Sequence, residues 1–179
     1  MSKFQKASKE IAQFVNEVLF DWDVHQPLID AKVKLDVCMA YGDQNDAGET
    51  EGVAIKRHGQ RVLGLAKIIG LKDRAMGRGD AEIMLDGDWW EDATDEQKKA
   101  LVDHELFHLR VKDMEQDDLG RPKLEMRLHD YEFGWFKAVA ERHGENSIEQ
   151  QQARLMMDTD GQFFWPEFEP APAAVSKKK

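Results

Sequence analysis

Apolar residues recur along this chain with two different periods, and the change between them marks out its elements. Phe4, Ala7, Ile11, Phe14, Val15, Val18 and Leu19 return every three or four positions, which predicts an amphipathic helix ending before Asp21-Trp22-Asp23. Val33 to Tyr41 opens in strict apolar and polar alternation and predicts a strand closed by Gly42-Asp43. The polar stretch from Gln44 to Gly52 predicts a loop. Val53 to Lys56 and Arg61 to Leu71 predict two more strands, with His58-Gly59-Gln60 as the turn between them. Beyond the Gly-rich punctuation from Arg74 to Asp80, Ala81 to Asp86 predicts a last strand, placed as an edge strand on which an extended peptide could lie. Trp89 and Trp90 follow it near the entrance of the next helix, where they either line a groove or, as is commoner for large aromatics, belong to the core or its rim.

The second half reads as helical. Thr94-Asp95-Glu96-Gln97 has the form of a capping box, so a helix should start near Asp95. No Pro or Gly interrupts the chain as far as Val111, and Val102, Leu106 and Leu109 form an apolar row along it. Asp113 to Lys123 predicts a turn-rich connection. The next helix stops at Gly144, and it starts either at Pro122 or at Asp130 as N-cap. The earlier start is preferred, because Met126, His129, Phe133, Phe136 and Ala140 then make one stripe. Ser147-Ile148-Glu149-Gln150 offers a second capping box for a final helix to about Met157. No internal repeat or second domain is visible. Residues 1–168 are expected to form a single domain, and 169–179, rich in Pro, Ala and Lys, a disordered tail.

Composition narrows the possible roles. Among 179 residues 34% are charged and 41% hydrophobic, with no run long enough for a membrane span and no apolar core of a signal peptide near Met1, so cytoplasmic residence is expected. Cys38 is the only cysteine, which leaves no internal disulfide and no thiolate metal cluster. A net charge of −10 repels a phosphate backbone and argues against general nucleic-acid binding. It suits a solvated acidic surface, or else a protein that imitates DNA or occupies a basic partner.

Within the predicted helix at Asp95 stands His104-Glu105-Leu106-Phe107-His108. Two imidazoles four residues apart on a helix share a face and can reach one tetrahedral Zn²⁺, while Glu105 sits beside the ion as a base for its water. A catalytic zinc wants a third protein ligand and one open position. The extended metzincin pattern fails, since it needs Gly and His where Val111 and Met114 stand. Downstream candidates are His129, Asp130, Glu132 and His143. His129 is preferred because its stripe faces the packed side, and Glu132 comes next as the carboxylate alternative. His25 and His58 read as loop and turn residues.

Val102-Asp103-His104-Glu105-Leu106-Phe107-His108, Gly120-Arg121-Pro122-Lys123 and Arg127-Leu128-His129-Asp130-Tyr131-Glu132-Phe133 together resemble the phage metallopeptidase family, and more distantly the SprT-like zinc peptidases. The likeness covers roughly residues 80 to 145. It implies a compact zincin-like α+β fold, with a small mixed sheet packed on helices that include the HExxH helix. It also implies His104, His108 and His129 as zinc ligands and Glu105 as catalytic base, while the substrate does not follow from the family; for a peptidase a peptide or protein is expected, met in the host cytoplasm if the chain is phage-encoded. Two alternatives remain at this point: a non-enzymatic acidic binding protein, and a protein whose zinc is only structural.

Overall fold

Four strands pair into the central sheet of the computed structural model, which describes residues 3–45, 50–57, 59–130 and 134–158. The chain opens with β1 (Phe4–Lys6), paired antiparallel with β2 (Leu35–Ala40), Phe4 opposite Ala40 and Lys6 opposite Cys38. Between them lie α1 (Lys9–Asp21) and the short α2 (Gln26–Asp30). The predicted N-terminal helix therefore begins later than Phe4. Ser8 caps it by accepting from the Ile11 N–H at 3.3 Å, a signal that the apolar spacing of Phe4 and Ala7 conceals. Val15, Val18 and Leu19 form its buried stripe.

Two small hairpins follow: β3 (Asp43–Gln44) with β4 (Thr50–Glu51), and β5 (Lys56–Arg57) with β6 (Gln60–Arg61). The predicted strand Val53–Lys56 is reduced to its last residue, because Ala54 and Ile55 turn inward as a buried pair against Leu65 and Met84. The turn residue His58 lies outside the described residues. β7 (Gly64–Ile68) is shorter than the predicted Arg61–Leu71, whose end folds into α3 (Leu71–Ala75).

β8 (Ala81–Asp86) occupies the predicted span, but it is not an edge strand. It pairs parallel with β2 and antiparallel with β7, in the order β1-β2-β8-β7. Its nearly continuous burial fits a strand covered on both faces. The edge on that side is β7. Next comes α4 (Gly87–Asp92), capped by Asp86, with Trp90 buried and set edge-on against Phe14 at 5.5 Å.

The capping box at Thr94 forms in both directions and opens α5 (Asp95–Phe107). Its core-facing side meets α1 and the sheet through Leu101, Val102 and Leu106. From Ala100 to Leu106 every residue is buried, including the ionisable Asp103, His104 and Glu105. Buried charge on this scale is costly unless paired, and it marks the end of α5 as the place where chemistry is concentrated.

The expected course of the chain fails after Phe107. The helix ends there, short of Val111, and β9 (Leu109–Gln116) turns back against β10 (Pro122–Met126) with Leu109 opposite Met126 and Val111 opposite Leu124. Asp117 shapes the turn by accepting from the backbone of Leu119 and Arg121, while Gly120 takes φ +69°. Pro122 thus begins a strand rather than a helix, as its missing N–H allows. The last helices among the described residues are α6 (Lys137–His143), stopped at Gly144, and α7 (Ile148–Asp158), whose first turn is capped by the Ser147 hydroxyl. The helix predicted from Pro122 through His129 does not exist. The segment expected to be a disordered tail lies outside the described residues. The result is a mixed α+β fold with the sheet packed on helices.

Candidate metal centre

Three histidines from two parts of the chain converge at the end of α5. His104 sits in its last turn and His108 at its C-cap, where the chain leaves helical geometry, so the pair is not mid-helix as expected. His129 arrives by the β9–β10 hairpin. Leaving β10, Arg127 N–H donates to the His108 carbonyl at 2.7 Å and the Arg127 carbonyl accepts from His108 Nδ1 at 2.9 Å. That double link lays the returning strand beside His108, and His129 follows two residues later. The three ring centroids are 4.8–5.2 Å apart. Fully buried Phe136 packs against all three rings, with centroids 5.2, 4.7 and 4.8 Å away.

Hydrogen bonds set which nitrogens remain free. Glu149 Oε1, on α7, accepts from His104 Nδ1 at 2.7 Å. With both Nδ1 atoms donating, His104 and His108 each keep an Nε2 lone pair for a ligand. One ring nitrogen from each histidine lies within 4.8 Å of the other two, and His129 Nε2 stands 3.4 Å from His104 Nε2. Two nitrogens bound to a tetrahedral zinc at its usual bond length are about 3.3 Å apart, so this pair already has the separation of one edge of such a site.

Charge points the same way. Among the described residues neither Glu105 nor Glu149 has a Lys or Arg ion-pair partner, and Glu149 Oε2 is buried with no hydrogen bond at all. A dication at the three histidines supplies the positive charge that these carboxylates lack. The donor set and its surroundings therefore fit a bound metal ion.

Burial is the largest influence on the imidazoles of His108 and His129. It pushes them down to about 3 and about 4, with repulsion from His104 adding to the effect, so both are neutral donors near pH 7. For His104 burial also acts downward, but the hydrogen bond to Glu149 and the charge of Glu105 outweigh it and hold its value above the ordinary one. Burial raises the Glu105 carboxyl, against the opposing pull of His104, the Ala66 backbone N–H and Arg57. Such a group can both take and return a proton.

Glu105 owes its position to a glycine. A β-carbon at Gly64, the first residue of β7, would come 2.5 Å from Glu105 Oε1 and 2.8 Å from its Cδ. Gly64→Ala is expected to displace the carboxylate with little change in metal content, read from a structure of the variant beside metal analysis. An isolated glycine in a strand pattern is the one sequence signal that points to such a close approach.

Next to His104, Asp103 is fully buried and gathers three partners. Its oxygens accept from His25 Nε2 at 2.7 Å, His143 Nε2 at 2.9 Å and Arg142 Nη2 at 2.7 Å. His25, read as a loop residue, and His143, a downstream ligand candidate, are thus parts of a buried network that ties α5 and α6 to the turn before α2. Burial raises the Asp103 carboxyl, but the bonds from His143 and His25 and the charge of Arg142 prevail and hold it well below the carboxylate range. Since its folded value lies below the unfolded one of about 3.9, its stabilisation is complete above about pH 4 and is lost as acid protonates it. Asp103→Asn leaves Arg142 without its counterion and is expected to cost about 3–5 kcal/mol in urea unfolding at neutral pH.

Of the other third-ligand candidates, Asp130 accepts from the Lys137 N–H at 2.9 Å and so closes the loop before α6, and His143 faces Asp103. Glu132 lies outside the described residues. Sequence reasoning missed Glu149, which looks like any acidic residue in a first helical turn, and the place of Phe136 beneath the rings.

Comparison with known proteins gives one result. A family described as "Putative phage metallopeptidase" matches residues 3–159. No curated protein and no solved structure gives a significant match.

Proposed function

The chain belongs to the phage metallopeptidase family, and from that membership we propose that it is a zinc-dependent peptidase with His104, His108 and His129 as ligands and Glu105 as general base. The observation that carries this reading is the convergence of three histidine nitrogens beside a buried glutamate of raised proton affinity. Bound zinc would acidify a coordinated water and polarise the scissile carbonyl. Glu105, held between the Ala66 N–H and the Gly64 backbone, takes the proton released in attack and returns it to the leaving amine. Phe136 limits the movement of the three rings and keeps their apolar side dry.

The substrate is an extended peptide or protein segment. Among the described residues β7 has no strand partner on the side away from β8, and its first residue touches Glu105. A peptide added to that edge by main-chain hydrogen bonds would pass the catalytic carboxylate. Residues 1–168 act as one domain, supported by a family match that runs from 3 to 159 without division. A cytoplasmic setting suits a chain with a single cysteine, and no helix among the described residues is long and apolar enough to cross a membrane.

The test is cleavage of a proteome-derived peptide mixture by the zinc-loaded protein. Cleavage should stop on chelation and return with added zinc. A folded, zinc-loaded protein that cuts no peptide in the mixture would leave the reading without its reaction.

A further inference from the structure

Glu149 is a fully buried carboxylate, 45 positions along the chain from the histidine it touches. It stands in the first turn of α7, where the Ser147 hydroxyl fixes the backbone by accepting from the Gln150 N–H at 3.1 Å. One oxygen, Oε1, accepts from His104 Nδ1 at 2.7 Å, and the other, Oε2, is buried and has no hydrogen-bond partner among the described residues. A carboxylate held this way is costly to the fold, because its hydration is lost and only one of its two oxygens is hydrogen-bonded. A leucine or methionine would fill the same space at lower cost, so packing alone does not account for a glutamate here.

The contrast with His108 shows what the carboxylate adds. The acceptor at His108 Nδ1 is a neutral backbone carbonyl, which fixes the ring and its tautomer. At His104 the acceptor carries a full negative charge, which fixes the ring and also strengthens the electron donation of Nε2. The two orienting groups come from separate elements, one from the end of β10 and one from α7.

We infer that Glu149 is a positioning residue of the metal centre. It locks His104 with Nε2 turned towards the other two histidines, and it makes the docking of α7 a condition of tight metal binding. The inference rests on the ligand set proposed above and adds to it a group from the C-terminal part of the chain that does not touch the metal.

The experiment uses the full-length chain as wild type, Glu149→Gln and Glu149→Ala. Zinc affinity is measured by competition with a chromophoric chelator, and the metal-free proteins are compared by thermal melting. Glutamine keeps the shape and a neutral acceptor, so Glu149→Gln should fold as wild type yet bind zinc about 10–100-fold more weakly. Glu149→Ala should lose at least as much. A Glu149→Gln protein with affinity within twofold of wild type would overturn the inference.

Nitrogen-15 NMR of the histidine rings provides a readout independent of affinity. Wild type should show a slowly exchanging proton on His104 Nδ1 that Glu149→Ala loses. A wild-type His104 ring unprotonated at Nδ1 would also overturn the inference. The outcomes separate from those of the peptidase reading. Wild type that binds no zinc defeats the ligand set, whereas wild type that binds zinc as tightly as Glu149→Gln defeats only the role of Glu149.

Discussion

Glu105→Gln is expected to reduce peptide hydrolysis by about 10²–10⁴-fold while leaving one zinc bound per chain. The substitution keeps the shape of a side chain that is packed against Gly64 and hydrogen-bonded by the Ala66 backbone. It removes the ability to accept a proton, and it touches none of the three histidine nitrogens. The loss should therefore appear in kcat, with KM changed by less than about threefold, because a general base acts on the transition state rather than on peptide binding. Removing the buried charge of Glu105 also relieves a burden on the fold, so the metal-free variant should melt no lower than wild type. Equal activity in wild type and Glu105→Gln at equal zinc content would show that another group moves the proton.

Removal of the metal has the second large effect, on stability. Buried Glu105 and Glu149 lack cationic side-chain partners among the described residues, and His104 and His129 present nitrogens to each other at 3.4 Å. A bound dication would supply the missing counter-charge and replace the contact between the two rings with metal bonds. An ion that binds only the folded chain stabilises it by about 4 kcal/mol at a thousandfold excess over its Kd. For a chain of this size that corresponds to a fall in melting temperature on the order of 10 °C when the metal is chelated. His129→Ala, read by calorimetry with saturating zinc, should melt near the chelated wild type, because two ligands remain and the third is gone. A wild-type melting temperature unchanged by chelator would mean that the centre holds no stabilising ion.

Much of the candidate centre can be read along the chain, and the exceptions have physical causes. The capping box at Thr94 is local chemistry, with both of its hydrogen bonds made within four residues, so the start of α5 follows from sequence. His104 and His108 share a face for the same local reason. The end of α5 is different, because Val102, Leu106 and Leu109 continue a helical row that the chain does not follow. From Leu109 onward the residues gain more by pairing with Leu124 and Met126, a partner set by tertiary structure that no local pattern reveals. The alternation around Leu109 and Val111 was the competing signal.

His129 joins the cluster by a route unlike the expected one. The helical stripe that singled it out does not form, and the hairpin brings the residue to His108 through two backbone contacts with Arg127. The place of β8 inside the sheet follows from its parallel pairing with β2, a contact across some 45 residues that strand periodicity cannot supply. Glu149, Asp103 and His25 show the same limit. Each is a polar residue whose role depends on a partner far along the chain, and each looks ordinary among its sequence neighbours.

X-ray absorption at the zinc edge of the loaded wild-type protein counts the groups around the metal. Three imidazole nitrogens and one solvent oxygen at about 2.0–2.1 Å are expected, with the His129→Ala protein losing one imidazole. A zinc surrounded by four protein ligands, or a spectrum that His129→Ala leaves unchanged, would contradict this coordination.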